Sequence, residues 1–176
     1  GYFNFFEFLP VIEGFSYTPY VSLGVGGFSF DPYAFLGGQK YFLRPLGTEG
    51  QGSEAFPDRK PYSSTALCVP LTVGFKIAVR ESINVYVEAG YRFTNTDYLD
   101  DVSTTYAGAE NFAPLPNGQP SPAYLLQDRS YVTITPPIGI KGRQRGNSQQ
   151  KDAYALLQIG VSFNLTAYKC PTANTK

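Results

Sequence analysis

Two adjacent stretches of the chain alternate between apolar residues and residues of other types. In the first stretch every odd position is apolar: Leu67, Val69, Leu71, Val73, Phe75, Ile77 and Val79. The second stretch repeats this alternation with Ile83, Val85, Val87, Ala89, Tyr91 and Phe93. A period of two residues is that of a β-strand with one apolar face. The two stretches therefore predict a long antiparallel hairpin that turns at Glu81 and Ser82.

The length of these predicted strands restricts the class of protein. Strands of soluble domains usually have about five or six residues, whereas a tilted strand that crosses a membrane needs about 9 to 11. A long apolar face is buried either against a second sheet, as in a β-sandwich, or against lipid, as in an outer-membrane barrel. Periodicity alone does not choose between these two.

Three further strands are predicted at residues 2–9, 17–30 and 152–168, and 131–140 is a further strand-like segment within a loop. The connections between the strands alternate in length. Residues 10–16 and 81–82 are short turns, whereas 31–66 and 97–150 are long and rich in Gly, Pro and polar residues. Short turns on one side and long loops on the other are typical of outer-membrane barrels, with the short turns in the periplasm and the long loops outside the cell.

The predicted fold is therefore all-β, a small antiparallel up-and-down transmembrane β-barrel over residues 1–168, followed by a polar tail at 169–176. Single-chain barrels of this kind have an even number of strands, from 8 upward. Five strands are visible, so we expect about three more before Gly1 in an intact barrel of about eight strands. No apolar run approaches the roughly 18 residues of a transmembrane helix.

Composition excludes several classes of function. The chain has 14 basic and 14 acidic residues in 176, so its net charge is zero and no nucleic-acid partner is indicated. It contains no His. Without His there is no Ser-His or Cys-His nucleophile and no ordinary base for neutral pH. The sequence therefore predicts a protein that is not an enzyme and that has neither a cofactor nor a small-molecule substrate.

Three acidic residues, Asp97, Asp100 and Asp101, lie within five positions of one another in a predicted outer loop. Carboxylates are ligands for Ca²⁺, but this spacing lacks the alternate ligands and central Gly of an EF-hand loop. The favoured interpretation is a hydrogen-bonded loop cap, in which carboxylates accept bonds from loop N–H groups. No metal site is predicted.

The even-numbered face of the central hairpin carries the charged residues Lys76, Arg80, Glu88 and Arg92. If this face points into a barrel, we expect Glu88 to pair with one or more of the three cations, because an unpaired buried charge is costly. The two cysteines, Cys68 and Cys170, fall at opposite ends of the predicted strands. They should therefore not form a disulfide with each other, since bridged Cα atoms lie within about 7 Å.

Several segments resemble a Bacteroidetes family of small outer-membrane β-barrels typified by PorG of the type IX secretion system. The segments are 43–52, 96–106, 151–154 and the closing Cys170-Pro171. The most specific is TDYLDDVSTTY at 96–106, in which we single out Thr96, Asp97, Tyr98, Asp100, Asp101, Thr105 and Tyr106 as an outer-loop motif. The resemblance implies a location in the outer membrane of a Gram-negative bacterium, in contact with its lipids.

The resemblance also implies a non-enzymatic role in protein secretion, as an anchor that links a periplasmic ring to the outer membrane. Its partners would be the ring lipoprotein and other secretion-system subunits. On the chain itself, the periplasmic side offers the turn residues Ile12, Glu13, Gly14, Glu81 and Ser82. The alternatives are a small barrel of another complex, a passive channel, and a soluble β-sandwich binding domain.

Overall fold

A computed structural model of the chain describes residues 1–4, 17–80 and 83–163, with the Arg80 side chain excluded. The chain divides into two compact units. The sheet unit contains the described residues of 1–26, 69–92 and 153–176, and the loop unit contains 27–68 and 93–152. None of the helices in the described ranges is long and apolar enough to cross a membrane.

Most of the regular structure is β-strand, which confirms the all-β prediction. The eight described strands are β1 Tyr2–Asn4, β2 Tyr17–Leu23, β3 Gly26–Ser29, β4 Tyr33–Leu36, β5 Gln39–Phe42, β6 Thr65–Arg80, β7 Ile83–Thr94 and β8 Ala153–Phe163. A six-stranded sheet has the order β1-β2-β6-β7-β8, and β3 pairs separately with β6. β4 and β5 form a two-stranded antiparallel sheet.

The central hairpin is the best-predicted element of the chain. β6 has 16 residues and β7 has 12, as the long alternating pattern indicated. The turn at Glu81 and Ser82 lies outside the described residues. In β6 the odd-numbered apolar side chains are all exposed, whereas most of the described even-numbered side chains are partly or fully buried. The two faces of the strand therefore differ as the period of two residues requires.

Glycines on the even-numbered face make room for tyrosines. In the antiparallel pair of β2 and β6, Tyr20 lies opposite Gly74. The Tyr20 ring covers this glycine so closely that a Cβ there would overlap it, and Tyr86 covers Gly160 in the same way. Glycine is required at such close approaches because any side chain would displace the ring. On this face of the sheet unit, two tyrosine rings are therefore laid across neighbouring strands.

Other predicted boundaries differ from the structure. The single strand predicted at 17–30 is two strands, β2 and β3, interrupted at Gly24 and Val25. The prediction of a strand-like segment at 131–140 is wrong. This segment begins in a 3₁₀ turn at Ser130–Val132 and continues without a strand. The strands predicted at 2–9 and 152–168 are described only as far as Asn4 and Phe163.

The long connections contain regular structure of their own. The first contains the β4 and β5 hairpin and a 3₁₀ turn at Arg44–Leu46. The second contains a 3₁₀ turn at Ala109–Asn111 and a short helix, α1, at Pro122–Gln127. The Ser121 side chain caps α1 by accepting a bond from the backbone N–H of Tyr124. These elements belong to the loop unit, where the polar core lies.

Candidate functional site

The loop unit is organised around the buried carboxylate of Glu49, which has no exposed surface. The carboxylate accepts hydrogen bonds from the backbone N–H groups of Ser103 at 3.0 Å and Thr104 at 3.0 Å. It also accepts the hydroxyl of Thr104 at 2.7 Å. One side chain from residues 43–52 thus fixes the backbone of residues 96–106, and the two segments that carry the resemblance lie in direct contact.

Arg145 supplies the counter-charge. Its guanidinium lies 3.2 Å from the Glu49 carboxylate, and this is the only ion pair within the described ranges. The same nitrogen donates to the Thr48 hydroxyl at 2.9 Å and to the backbone carbonyl of Asp101 at 2.9 Å. A buried carboxylate persists in the charged form only when it is paired and fully hydrogen-bonded. Arg145 and the donors of residues 103–104 meet that requirement.

Asp101 is the second fully buried acid of this region. Its carboxylate accepts the hydroxyl groups of Thr48 and Tyr62, the latter at 2.7 Å. The Tyr62 ring stacks on Tyr98 with ring centroids 4.5 Å apart. Asp101 also has a φ of 67°, the only positive value at a non-glycine residue in the described ranges. Asp tolerates this left-handed conformation better than most residues do, so the backbone and the side chain both restrict this position.

The three acids of the outer-loop motif have different partners. Asp97 accepts the Ser103 hydroxyl at 2.5 Å, and Asp101 has the partners given above. Asp100 is exposed and accepts the backbone N–H of Val102 at 3.1 Å. No group of three or more His, Cys, Asp or Glu residues in the described part of the chain is arranged to hold a metal ion. Only the Asp100 bond is of the kind that the loop-cap interpretation expects, because Asp97 and Asp101 accept side-chain hydroxyl groups instead of loop N–H groups.

A second arginine, Arg59, ties the first long connection to the end of the motif. It donates to the backbone carbonyl of Glu49 at 2.6 Å and to that of Thr105 at 2.9 Å. It also donates to the Thr105 hydroxyl at 2.6 Å. Tyr106 donates its backbone N–H to the carbonyl of Arg143 at 2.9 Å. Sequence reasoning missed Arg59 and Arg145, because no periodic pattern or motif marks either residue.

The entry to the last strand is connected to the same motif. Asp152 accepts the backbone N–H of Leu99 through its carboxylate at 2.8 Å. Its backbone N–H donates to the carbonyl of Thr96 at 2.9 Å, and its carbonyl accepts the N–H of Thr94 at 3.1 Å. The segment 151–154 therefore belongs with residues 43–52 and 96–106 as a third part of one hydrogen-bonded arrangement, which we call the polar cluster. All three of its segments carry the resemblance.

The charged residues of the sheet unit do not form the expected ion pairs. Glu88 accepts the hydroxyl of Tyr20 at 2.6 Å, and within the described residues no ion pair joins it to Lys76 or Arg92. Arg92 instead donates to the Tyr154 hydroxyl at 3.2 Å and lies over that ring. The physical reason is that Gly74 has no side chain, so the Tyr20 ring can lie across β6 and its hydroxyl reaches Glu88. The Arg80 side chain lies outside the described residues.

Other predicted residues have simpler outcomes. Cys68 is a buried free thiol, and Cys170 lies outside the described residues, so the absence of a disulfide between them stays a prediction. The proposed partner-facing residues Ile12, Glu13, Gly14, Glu81 and Ser82 also lie outside them. These five remain predictions.

Burial in the polar cluster raises the pKa of Asp101, although the hydrogen bonds from Thr48 and Tyr62 and the charge of Arg145 oppose the rise. Because the folded protein then holds this proton more tightly than the unfolded chain, the stability that Asp101 contributes is greatest below its ordinary pKa of 3.8 and is lost as the pH rises through the folded pKa.

We therefore expect the free energy of unfolding of the native protein, relative to Asp101→Asn, to fall over the pH range above the ordinary Asp pKa of 3.8. Denaturant unfolding of both proteins over this range tests the expectation. Asp100→Asn is the matched control, since Asp100 is exposed, and its difference from the native protein should stay nearly constant. A native advantage over Asp101→Asn that grows with pH would contradict the assignment.

Comparison with known proteins gives a family but no described relative. A family model, a domain of unknown function (DUF6089), matches residues 2–119. No curated protein and no solved structure matches the chain. The matched span includes the central hairpin and the two cluster segments 43–52 and 96–106, and it ends before Arg145. Because it covers more than half of the chain, the protein belongs to the DUF6089 family.

Proposed function

We propose that this protein is an outer-membrane β-barrel of a Gram-negative, Bacteroidetes-type bacterium, and a non-enzymatic component of a type IX, PorG-like secretion machine that links a periplasmic ring to the outer membrane. The observation that carries the membrane part of the proposal is the apolar face of β6, β7 and β8, which is exposed within the described part of the chain. The machine and the ring rest on the resemblance.

The exposed apolar face favours lipid over a second sheet. Along β8, Leu157 and Ile159 are 75% and 76% exposed, and in β6 Val73 is 54% exposed. In a β-sandwich these side chains would pack against a facing sheet, and the described part of the chain places none over them. Monomers in water rarely expose contiguous apolar patches larger than a few hundred Å². A strand face of this length therefore suits a hydrocarbon environment.

The opposite face favours a filled barrel over a channel. Tyr20 and Tyr86 lie across glycines on this face, Glu88 accepts the Tyr20 hydroxyl, and Arg92 donates to the Tyr154 hydroxyl. Barrels of about eight strands are filled by their own side chains. We therefore expect no stable conductance when the purified protein is added to planar bilayers, and a reproducible open pore would favour the channel alternative.

The polar cluster supports a structural role for the outer loops. Glu49, Asp97 and Asp101 direct their carboxylates at donors of the loop unit itself. A general base must instead reach the proton of a substrate. The cluster therefore serves to fix the shape of the loop unit, and the proposal assigns it no catalytic step.

Extraction in a gentle detergent, followed by identification of the co-purifying proteins, tests the anchor role. We expect the ring lipoprotein to co-purify. Combined substitution of Ile12, Glu13 and Gly14 and of the tail at 169–176 should release it while the barrel stays folded. Trimming the long loops should leave the ring bound. If the inner-side changes have no effect and loop trimming releases the ring, the anchor role is wrong and a cell-surface role is the better account.

A further inference from the structure

The β4 and β5 hairpin has an aromatic face that the proposed function does not use. Its antiparallel register places Tyr33 opposite Phe42 and Phe35 opposite Lys40. Facing residues of a strand pair point to the same side of the sheet, so these four side chains share one face. Tyr33 is 51% exposed, Phe35 54% and Phe42 45%. We call these four residues the aromatic face.

The aromatic face holds its cation in a defined position. The Lys40 ammonium lies 3.8 Å from the centroid of the Tyr33 ring and 4.7 Å from that of Phe42. Tyr33 also meets Phe35 edge to face, with ring centroids 5.7 Å apart. No carboxylate pairs with Lys40 among the described residues. The face therefore presents three rings and one positive charge that lacks an anionic partner.

The other face of the hairpin is turned toward the loop unit. Ala34, Leu36 and Tyr41 alternate with the aromatic residues and are partly buried. α1 lies against β4. Beyond the hairpin, Leu43 donates its backbone N–H to the carbonyl of Pro32 at 2.9 Å, which extends the pairing of the two strands. One face of the hairpin thus packs against the rest of the loop unit, and the aromatic face is its exposed face.

We propose that the aromatic face lies in the headgroup region of the lipid bilayer, where the three rings contact the acyl boundary and Lys40 binds a lipid phosphate. Aromatic side chains with one apolar and one polar part are enriched at membrane interfaces. The Lys stem lies along apolar surface while its ammonium stays near polar groups. Lipid phosphate supplies the missing negative charge. This inference rests on the proposed outer-membrane location.

The chemistry favours this occupant over an apolar protein surface. A protein surface that covered the three rings would also cover Lys40, and a covered charge without a counter-ion is costly. At the interface of a bilayer the rings can contact the apolar acyl chains while the Lys40 ammonium contacts an anionic phosphate.

The absence of Trp from the sequence allows a direct test. Three variants each carry one Trp: Phe35→Trp in the aromatic face, Val73→Trp in the apolar face of β6, and Tyr131→Trp in the loop unit as a control. Each full chain is reconstituted into two sets of phosphatidylglycerol vesicles, one with lipids brominated near the headgroup end of the acyl chain, which tests Phe35→Trp, and one with lipids brominated near the methyl end, which tests Val73→Trp. We expect bromolipid to quench Phe35→Trp and to shift its emission to shorter wavelength, whereas Tyr131→Trp should be unquenched.

The role of Lys40 is tested in the Phe35→Trp background. Lys40→Glu should remove most of the quenching, because a carboxylate repels the phosphate, and Lys40→Arg should keep it. The far-ultraviolet circular dichroism of each variant shows whether it has folded. Equal quenching in Lys40→Glu and Lys40→Arg would refute the phosphate contact.

The Val73→Trp variant separates this inference from the proposed function. If Val73→Trp is quenched and Phe35→Trp is not, the aromatic face does not contact lipid, and the membrane location stands. If neither is quenched, the membrane location and the inference are both wrong.

Discussion

Glu49→Ala should unfold the loop unit while the strands of the sheet unit remain formed. The substitution removes the acceptor of the Ser103 and Thr104 donors and leaves Arg145 without its counter-charge. Breaking a buried ion pair by removing one partner costs about 3–5 kcal/mol. We expect a loss of this size in the free energy of unfolding, measured by denaturant titration, together with faster proteolysis within residues 27–68 and 93–152.

Two comparisons make the Glu49 prediction specific. Glu54→Ala removes an exposed carboxylate from the same connection and should change stability by less than about 0.5 kcal/mol. Glu49→Ala and Arg145→Ala should each be strongly destabilising, and the double variant should lose less than the sum, since the two side chains are in contact. An effect of Glu49→Ala no larger than that of Glu54→Ala would show that the cluster does not stabilise the loop unit.

The central hairpin was predictable because its signal is local and repeated. Apolar residues recur at every second position from Leu67 to Val79, and a strand is the only regular element with that period. The exposed and buried faces of β6 follow directly from this pattern. The boundary between β2 and β3 was missed, although the apolar residues change near it from the odd positions Val21, Leu23 and Val25 to the even positions Phe28 and Phe30.

The β4 and β5 hairpin carried a signal that sequence reasoning overlooked. Its strands are joined by Gly37 and Gly38, which both have positive φ values, 58° and 81°. Two glycines between short aromatic runs are typical of a two-residue hairpin turn. The signal was missed because residues 31–66 were interpreted by their overall Gly, Pro and polar content as one long loop.

The polar cluster could be predicted only in part. The segments 43–52 and 96–106 were both singled out, but nothing in their spacing predicts that Glu49 contacts Thr104, 55 residues further along the chain. Contacts of this kind depend on how the loops close in three dimensions. Within the described residues Glu88 pairs with neither Lys76 nor Arg92 for a related reason, and its pairing with Arg80 stays a prediction. The charge of Glu88 alone suggested a cationic partner. Because Gly74 has no side chain, the neutral hydroxyl of Tyr20 reaches Glu88 instead.

Val73→Arg should prevent stable insertion of the proposed barrel into a membrane. Val73 lies within β6 on the apolar face that we propose contacts lipid, and an arginine facing lipid at the midplane of a barrel costs about 2–4 kcal/mol. We expect less protein in the outer-membrane fraction and loss of the heat-modifiable band of a folded barrel. Val73→Ile, which keeps the side chain apolar, should behave like the native protein.

Val132→Arg is the matched control for this prediction. Val132 is even more exposed than Val73, at 67% against 54%, but it lies in the 3₁₀ turn of the loop unit rather than in a long strand. If the side chains of Val73 and Val132 are both exposed to water, the two arginine variants should be equally well tolerated. If lipid covers the apolar face of the strands, only Val73→Arg should lose membrane assembly, because the same charge is costly in hydrocarbon and nearly neutral in water.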